Sequence, residues 1–182
     1  MAEEIKIKRK RRKRQKWSEG DYFLVKLLDG DYVIGQIQKY AYRQMGSVAA
    51  LYFNIKVKSK EEALLKIETL TDKDVIVAQF TLTDSLDWID VGTWEIIKNG
   101  EVKYLWKFFT EYQFTATRIP IYGSGIIDDL LNAYYGLYPW DCYADKEYFD
   151  KMLVSKDKKP LNLKYKVSFK PLPNNQWELI SD

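Results

Sequence analysis

Residues 22–40 read YFLVKLLDGDYVIGQIQKY. Two runs rich in β-branched, aromatic and aliphatic residues flank Asp29-Gly30, the strongest short-range signal for a β-hairpin. In the first run Phe23, Val25 and Leu27 alternate with Tyr22, Leu24 and Lys26. In the second, Val33, Gly35 and Ile37 alternate with Ile34, Gln36 and Gln38. A primed two-residue turn at Asp29-Gly30 is expected, with positive φ at both central residues. Gly35, inside a strand, signals a bulge or a close backbone approach.

Working outward, residues 48–57 and 75–82 read as further strands, and 94–97 as a short one ending at the Asn99-Gly100 turn. Residues 61–70 form a candidate helix with Leu64, Leu65 and Ile67 on one face. Residues 104–114 are aromatic-rich and read equally as helix or strand. The best helix is 124–136: Ser124 as cap, Asp128 and Asp129 toward the positive end of the dipole, Gly136 as stop. Ile126, Leu130 and Tyr134 recur every four residues, and Ile127 and Leu131 widen that face. A second short helix is expected over 146–153, and closing strands over 165–169 and 177–180, with Pro171, Pro173 and Asn174-Asn175 between them. The fold class is therefore α+β: a strongly curved antiparallel sheet, or a partly open β-barrel, with two short C-terminal helices.

The chain has 182 residues, enough for one well-buried domain, expected over 17–182. Residues 5–16 hold nine Lys and Arg and no acid, which leaves residues 17–182 with 20 bases against 24 acids, a formal charge of −4. An acidic body thus carries a basic arm, residues 1–16, expected to be largely disordered or extended. The lone cysteine, Cys142, excludes an internal disulfide and fits a reducing compartment. No apolar run approaches the length of a membrane span, and none of signal-peptide type follows the charged start. A soluble, cytoplasmic protein is expected.

Histidine is absent, which removes the commonest general base, Ser-His and Cys-His pairs, and the usual zinc ligands. No phosphate loop or dinucleotide fingerprint occurs. Gly123-Ser124-Gly125 reads as a turn and N-cap, with an anion-binding alternative. The carboxylates remain: Asp84, Asp87 and Asp90; Asp128 and Asp129; Asp141 and Asp145. A pair of acids can run glycoside chemistry or hold Mg²⁺, but solvated helix starts and turns are the commoner use. Cys142 follows Trp140-Asp141 without a cationic neighbour in sequence, so it reads as structural. No enzymatic activity, cofactor or metal is expected. In the arm, Lys8, Arg9, Lys10, Arg11, Arg12, Lys13 and Arg14 would release counterions on nucleic acid, or serve only as a solubilising extension. A nucleic-acid-binding protein with such an arm on an SH3-like barrel is the alternative to a protein-binding module.

Residues 13–35, KRQKWSEGDYFLVKLLDGDYVIG, resemble the opening of the bacterial immunity protein family numbered twenty-six, part of the polymorphic-toxin systems. Gly20, Asp21, Phe23, Leu28, Asp29, Gly30 and Gly35 fit its pattern of Gly-Asp, strand, Asp-Gly turn and glycine-bearing strand. Residues 86–97, LDWIDVGTWEII, resemble its later tryptophan-bearing strand, with Trp94 in the matching place. The resemblance spans residues 13–100 and rests on structural motifs. It implies a cytoplasmic protein that binds and blocks a cognate toxin, and the acidic body suits a basic toxin such as a nuclease.

A partner surface is expected around Asp128, Asp129, Tyr135, Trp140, Asp141 and Tyr143, where aromatic anchors lie among acids. Against this stands the reading in which Tyr138 and Trp140 plug the end of the sheet.

Overall fold

The computed structural model describes residues 15–41, 46–87, 94–116, 118–173 and 176–180. Residues 1–14 of the expected arm, Asp90 and the Asn174-Asn175 turn lie outside these residues, whereas Gln15, expected at the end of the arm, is buried against the folded body, so the domain begins before Trp17.

The hairpin forms where its alternation placed it. Strand β1 (Asp21–Lys26) pairs antiparallel with β2 (Tyr32–Ala41), setting Phe23 opposite Gly35, Leu24 opposite Ile34 and Val25 opposite Val33. The turn itself differs from the primed type. Gly30 N–H donates to the Leu27 carbonyl (3.1 Å) and Leu27 N–H to the Asp31 carbonyl (2.8 Å), so the loop is residues 28–30. Gly30 sits last, at φ +91°, in the position a three-residue hairpin reserves for glycine. Gly35 is a close approach: a Cβ there would lie 2.4 Å from Phe23 Cζ. The Phe23 ring covers the glycine and stacks on Trp94 (5.1 Å, 11°), with Tyr52 edge-on to both.

Strands β3 (Ser47–Val57) and β4 (Val75–Leu82) continue the antiparallel ladder from β2, a single turn of helix, α2 (Asp84–Asp87), follows β4, and β5 (Trp94–Asn99) flanks β1. β6 (Ile121–Tyr122) joins β4 in parallel, giving the order β5-β1-β2-β3-β4-β6. The fold is α+β, but its main sheet is mixed, not wholly antiparallel. The chain crosses from one edge of the sheet to the other before β6, through α3 (Leu105–Phe108) and α4 (Glu111–Thr115), so no hairpin dictates the last strand's direction.

Both faces of the sheet are buried. One carries Phe23, Val25, Val33, Ile37, Tyr52 and Trp94 beneath α5 (Ser124–Tyr134) and the segment bearing Trp140, Phe149 and Met152. The other carries Leu24, Ile34, Leu51, Phe53 and Phe80 beneath α1 (Lys60–Ile67) and Phe109. In α1 the inward residues are Ala63 and Ile67, four apart, whereas Leu65 is 75% exposed and does not share the expected face. A register shift between Ile37 and Lys39 turns Lys39 from the first face to the second, where its ammonium lies about 5 Å from the Trp106 and Phe114 rings.

Helix α5 forms where expected, but Gly123 and not Ser124 takes the cap position, Ser124 is its first residue, Asp128 and Asp129 lie beyond its first turn, and it ends at Tyr134 with Gly136 at φ +72° past its end. The second expected helix is replaced by turns and a single 3-10 turn, Asp150–Met152. This stretch is held by tertiary bonds instead: Val154 N–H donates to the Ile76 carbonyl (3.0 Å), and Leu153 bridges Val77. The first closing strand is displaced: Lys166–Ser168 is a 3-10 turn, and β7 (Phe169–Pro171) begins where the strand was expected to end and takes in Pro171, while β8 (Trp177–Leu179) forms one residue shorter than expected; the two make their own two-stranded sheet. At the opposite edge of the main sheet, Gln15 meets β5. Its Oε1 accepts from Ile96 N–H (3.0 Å), and its Nε2 donates to the carbonyls of Trp94 (3.2 Å) and Leu86 (2.9 Å).

Candidate functional site

A cleft of about 660 Å³ opens where the β1–β2 hairpin, α5 and the β7–β8 hairpin converge. The end of β1 and its turn supply Lys26, Leu27 and Leu28. Helix α5 supplies Asp128, Asp129 and Asn132, the loop after it Tyr138, and the last hairpin Leu172, Gln176 and Trp177. The walls are mostly apolar, with a few convergent polar groups, the usual make-up of a binding site.

Asn132 fixes the geometry. Its Oδ1 accepts from Leu28 N–H (2.8 Å) and its Nδ2 donates to the Asp128 carbonyl (2.8 Å), so the hairpin tip is tied to the helix. Asp128 Oδ1 accepts from the Trp94 indole N–H (2.7 Å), which ties the same helix to β5. Asp129 Oδ2 accepts from the Tyr143 hydroxyl (2.8 Å). Three of these bonds, from Leu28, Trp94 and Tyr143, join α5 to other parts of the chain and hold two carboxylates in fixed positions.

Burial shapes the electrostatics here. It pushes the Asp129 carboxyl above the usual carboxylate range, partly offset by the Tyr143 hydrogen bond. The Tyr138 hydroxyl is pushed up to about 12, first by burial and then by the Asp129 charge. The Cys142 thiol is likewise pushed up to about 12 by burial and by Asp129, with Lys166 opposing. A thiol held so high is not activated as a nucleophile at neutral pH.

The six residues expected on a partner surface separate. Asp128 and Asp129 line the cleft, and Tyr143 braces Asp129 from behind. Trp140 does not belong to a surface: it is 1% exposed, packs on Phe149 (5.4 Å) and is core. Its backbone explains this, because Trp140 N–H donates to the Lys164 carbonyl (2.8 Å) and draws the loop inward. Of the two readings, burial of Trp140 removes it from the surface, but it packs beneath a face of the sheet, and Tyr138, expected to plug the sheet beside it, lines the cleft instead. Asp141 Oδ1 accepts from Lys166 N–H (2.7 Å), closing the same loop. Tyr135 is outside the cleft lining and donates to Asn54 Oδ1 (3.1 Å). Sequence reasoning missed Asn132 and Trp177. Only Asn132 carried a signal, its four-residue spacing from Asp128 on one helix face.

The remaining motif residues do structural work. Gly20 (φ +86°) faces the Gly100 carbonyl so closely that a Cβ would lie 2.2 Å from its oxygen. Asp21 accepts from Ser18 N–H (2.6 Å) and from Asn99 Nδ2 (2.7 Å). Asp29 and Asp31 share the Lys56 ammonium. Asp87 accepts from the Trp17 indole (2.8 Å), and Asp145 pairs with Lys151 (2.6 Å), while Asp84 is exposed. Among the described residues no cluster of three or more Asp, Glu, Cys or His is placed to hold a metal ion, and no helix is long and apolar enough to cross a membrane. The arm residues Lys8 to Arg14 lie outside the described residues. Comparison with protein-family models, curated proteins and solved structures returned no match.

Proposed function

We propose that this is a cytoplasmic immunity protein that binds and neutralises a cognate bacterial toxin, acting by occupancy without catalysis or cofactor. The observation that carries the reading is the cleft: two adjacent carboxylates, positioned by bonds from Trp94 and Tyr143, among apolar and aromatic walls. Such rigidity is what an inhibitor needs, because a preorganised surface loses little entropy on binding. The acidic body favours a basic partner, a nuclease being the obvious type, since opposed charge speeds encounter. The motif resemblance over residues 13–100 supports the same assignment, and a strongly curved sheet, or a partly open barrel, is the sheet shape this reading assigns.

Coexpression with the toxin domains encoded beside the gene tests it. Restored growth and a stable complex on gel filtration are expected. Growth that stays arrested with each of those toxins, or substrate turnover by the purified protein alone, overturns it.

A second reading rests on the nine bases of residues 5–16, which suit nucleic-acid phosphates. If it holds, affinity for duplex or single-stranded nucleic acid falls steeply with salt and is abolished when those bases are replaced. Salt-insensitive or undetectable binding removes it.

A further inference from the structure

We propose that the cleft seats one arginine side chain of a basic protein partner, its guanidinium against Asp128 and Asp129 and its methylene stem along the apolar wall. The proposal rests on the protein-binding reading above and deepens it.

Size comes first. A volume of about 660 Å³ exceeds what a single side chain fills, so an arginine enters together with part of its backbone. Chemistry comes second. A planar guanidinium carries donors on several nitrogens, so it can meet carboxylates that line one cleft from different directions, and its flat face stacks on an aromatic ring. Trp177 and Tyr138 stand edge to face in the wall, 6.5 Å between centroids. The Trp177 indole already faces one cation, the Lys166 ammonium, at 5.9 Å from its centroid. Leu27, Leu28 and Leu172 supply the apolar wall, and Leu28, 66% exposed, stands at its rim.

Charge comes third. Asp129 is half-buried, and burial opposes its ionisation. An arriving cation relieves that cost, so the site gains on binding what it lost on folding. The like charges facing the cleft are Lys26, exposed in its lining, and Lys166 behind Trp177. Both are lysines on flexible stems, and Lys26 can turn to solvent when an arginine enters.

The test titrates the isotope-labelled full chain with N-acetyl-Gly-Arg-Gly amide and with its citrulline counterpart, which keeps the shape and removes the charge. The Trp177 indole and Asn132 side-chain amide signals are followed. Saturable shifts with the arginine peptide, weaker by about tenfold or more with citrulline, are expected. Asp129→Asn weakens binding by a similar factor, and Lys26→Met tightens it severalfold by removing a like charge. Should Asp129→Asn perturb the fold, Trp177→Leu on the separate hairpin serves in its place, with the same loss expected. Equal response to both peptides, or unchanged affinity in these variants, overturns the proposal. If replacing the seven bases of residues 8–14 by serine shifts the same two signals without peptide, the chain's own arm is the occupant and the proposal falls. Toxin neutralisation with a cleft indifferent to arginine sinks the cleft assignment alone. Arginine binding in a protein that neutralises no toxin sinks the parent reading alone.

Discussion

The two faces of the six-stranded sheet are both buried, yet they are held together by different means. Under α5 the rings carry polar tips, and those tips form long-range bonds. Tyr52 pairs its hydroxyl with Thr81 (3.0 Å), Trp94 reaches Asp128, and Tyr143 reaches Asp129. Under α1 and Phe109 the contacts are largely aliphatic, with Phe80, Phe109 and Phe114 meeting edge to face. Polar links there include the buried pair Gln38 to Gln36 (2.7 Å). Apolar packing is non-directional, so it stabilises without fixing one arrangement, whereas a hydrogen bond specifies position at a modest net gain. The cleft sits on the face whose parts are specified.

Truncating a ring on either face should be costly and nearly equal. Trp140→Ala and Phe109→Ala are each expected to lose about 3–5 kcal/mol in urea unfolding. A Trp140→Ala variant of unchanged stability would place that residue outside the core and break the comparison. Next in size is Gly35→Ala. The added Cβ must displace the Phe23 ring and with it the Trp94 stack, at about 1–3 kcal/mol. Adding Phe23→Leu should recover part of that loss, and a double-mutant cycle showing no coupling would mean that the ring is not what Gly35 accommodates.

Smaller effects sharpen the contrast. Lys39→Met removes the ammonium over Trp106 and Phe114 and should cost about 0.5–1 kcal/mol, little affected by pH in the neutral range. Asp129→Asn should act in the opposite direction. Because the folded-state carboxyl is raised, Asp129 favours folding in acid, and that contribution is lost as pH rises through its folded value. The asparagine variant is therefore slightly more stable than the parent near neutrality, and the gain fades as pH falls below the ordinary aspartate range. Urea midpoints at neutral and acid pH decide this. An asparagine variant less stable than the parent at neutral pH, with a deficit that shrinks in acid, would mean that Tyr143 outweighs burial.

How much of this was legible follows from where regularity lies. The β1–β2 hairpin, β3, β4 and α5 announce themselves by period, since ladders and helices repeat a bond every one or two residues. The turn type was misread because Asp-Gly serves both primed turns and the three-residue loop that ends in glycine. The shift at Ile37–Lys39 moved a lysine to the other face, and no alternation pattern encodes that. Residues 135–168 were the least legible. Their order comes from single long-range bonds, such as Trp140 to Lys164 and Val154 to Ile76, which leave no period behind. The cleft inherits this asymmetry. Asp128 and Asp129 were visible as acids on a helix, but the opposite wall, Trp177 and Leu172, arrives from a hairpin more than forty residues later. Trp140 could be read either way for the same reason: an aromatic residue among acids looks identical in sequence whether it faces solvent or core, and here it is core.

Gln15 carries a consequence for how this protein behaves in crowded solution. A sheet edge is a template on which another chain can polymerise, backbone to backbone. At Trp94 and Ile96 the template has been given a decoy. The carboxamide of Gln15 offers one donor and one acceptor in the places where a peptide group would sit, and satisfies both. Being a side chain, it has no further backbone on which the ladder could grow. One residue thus acts as a chain terminator for intermolecular sheet growth at that step, keeping β5 an edge without leaving it open to fibres.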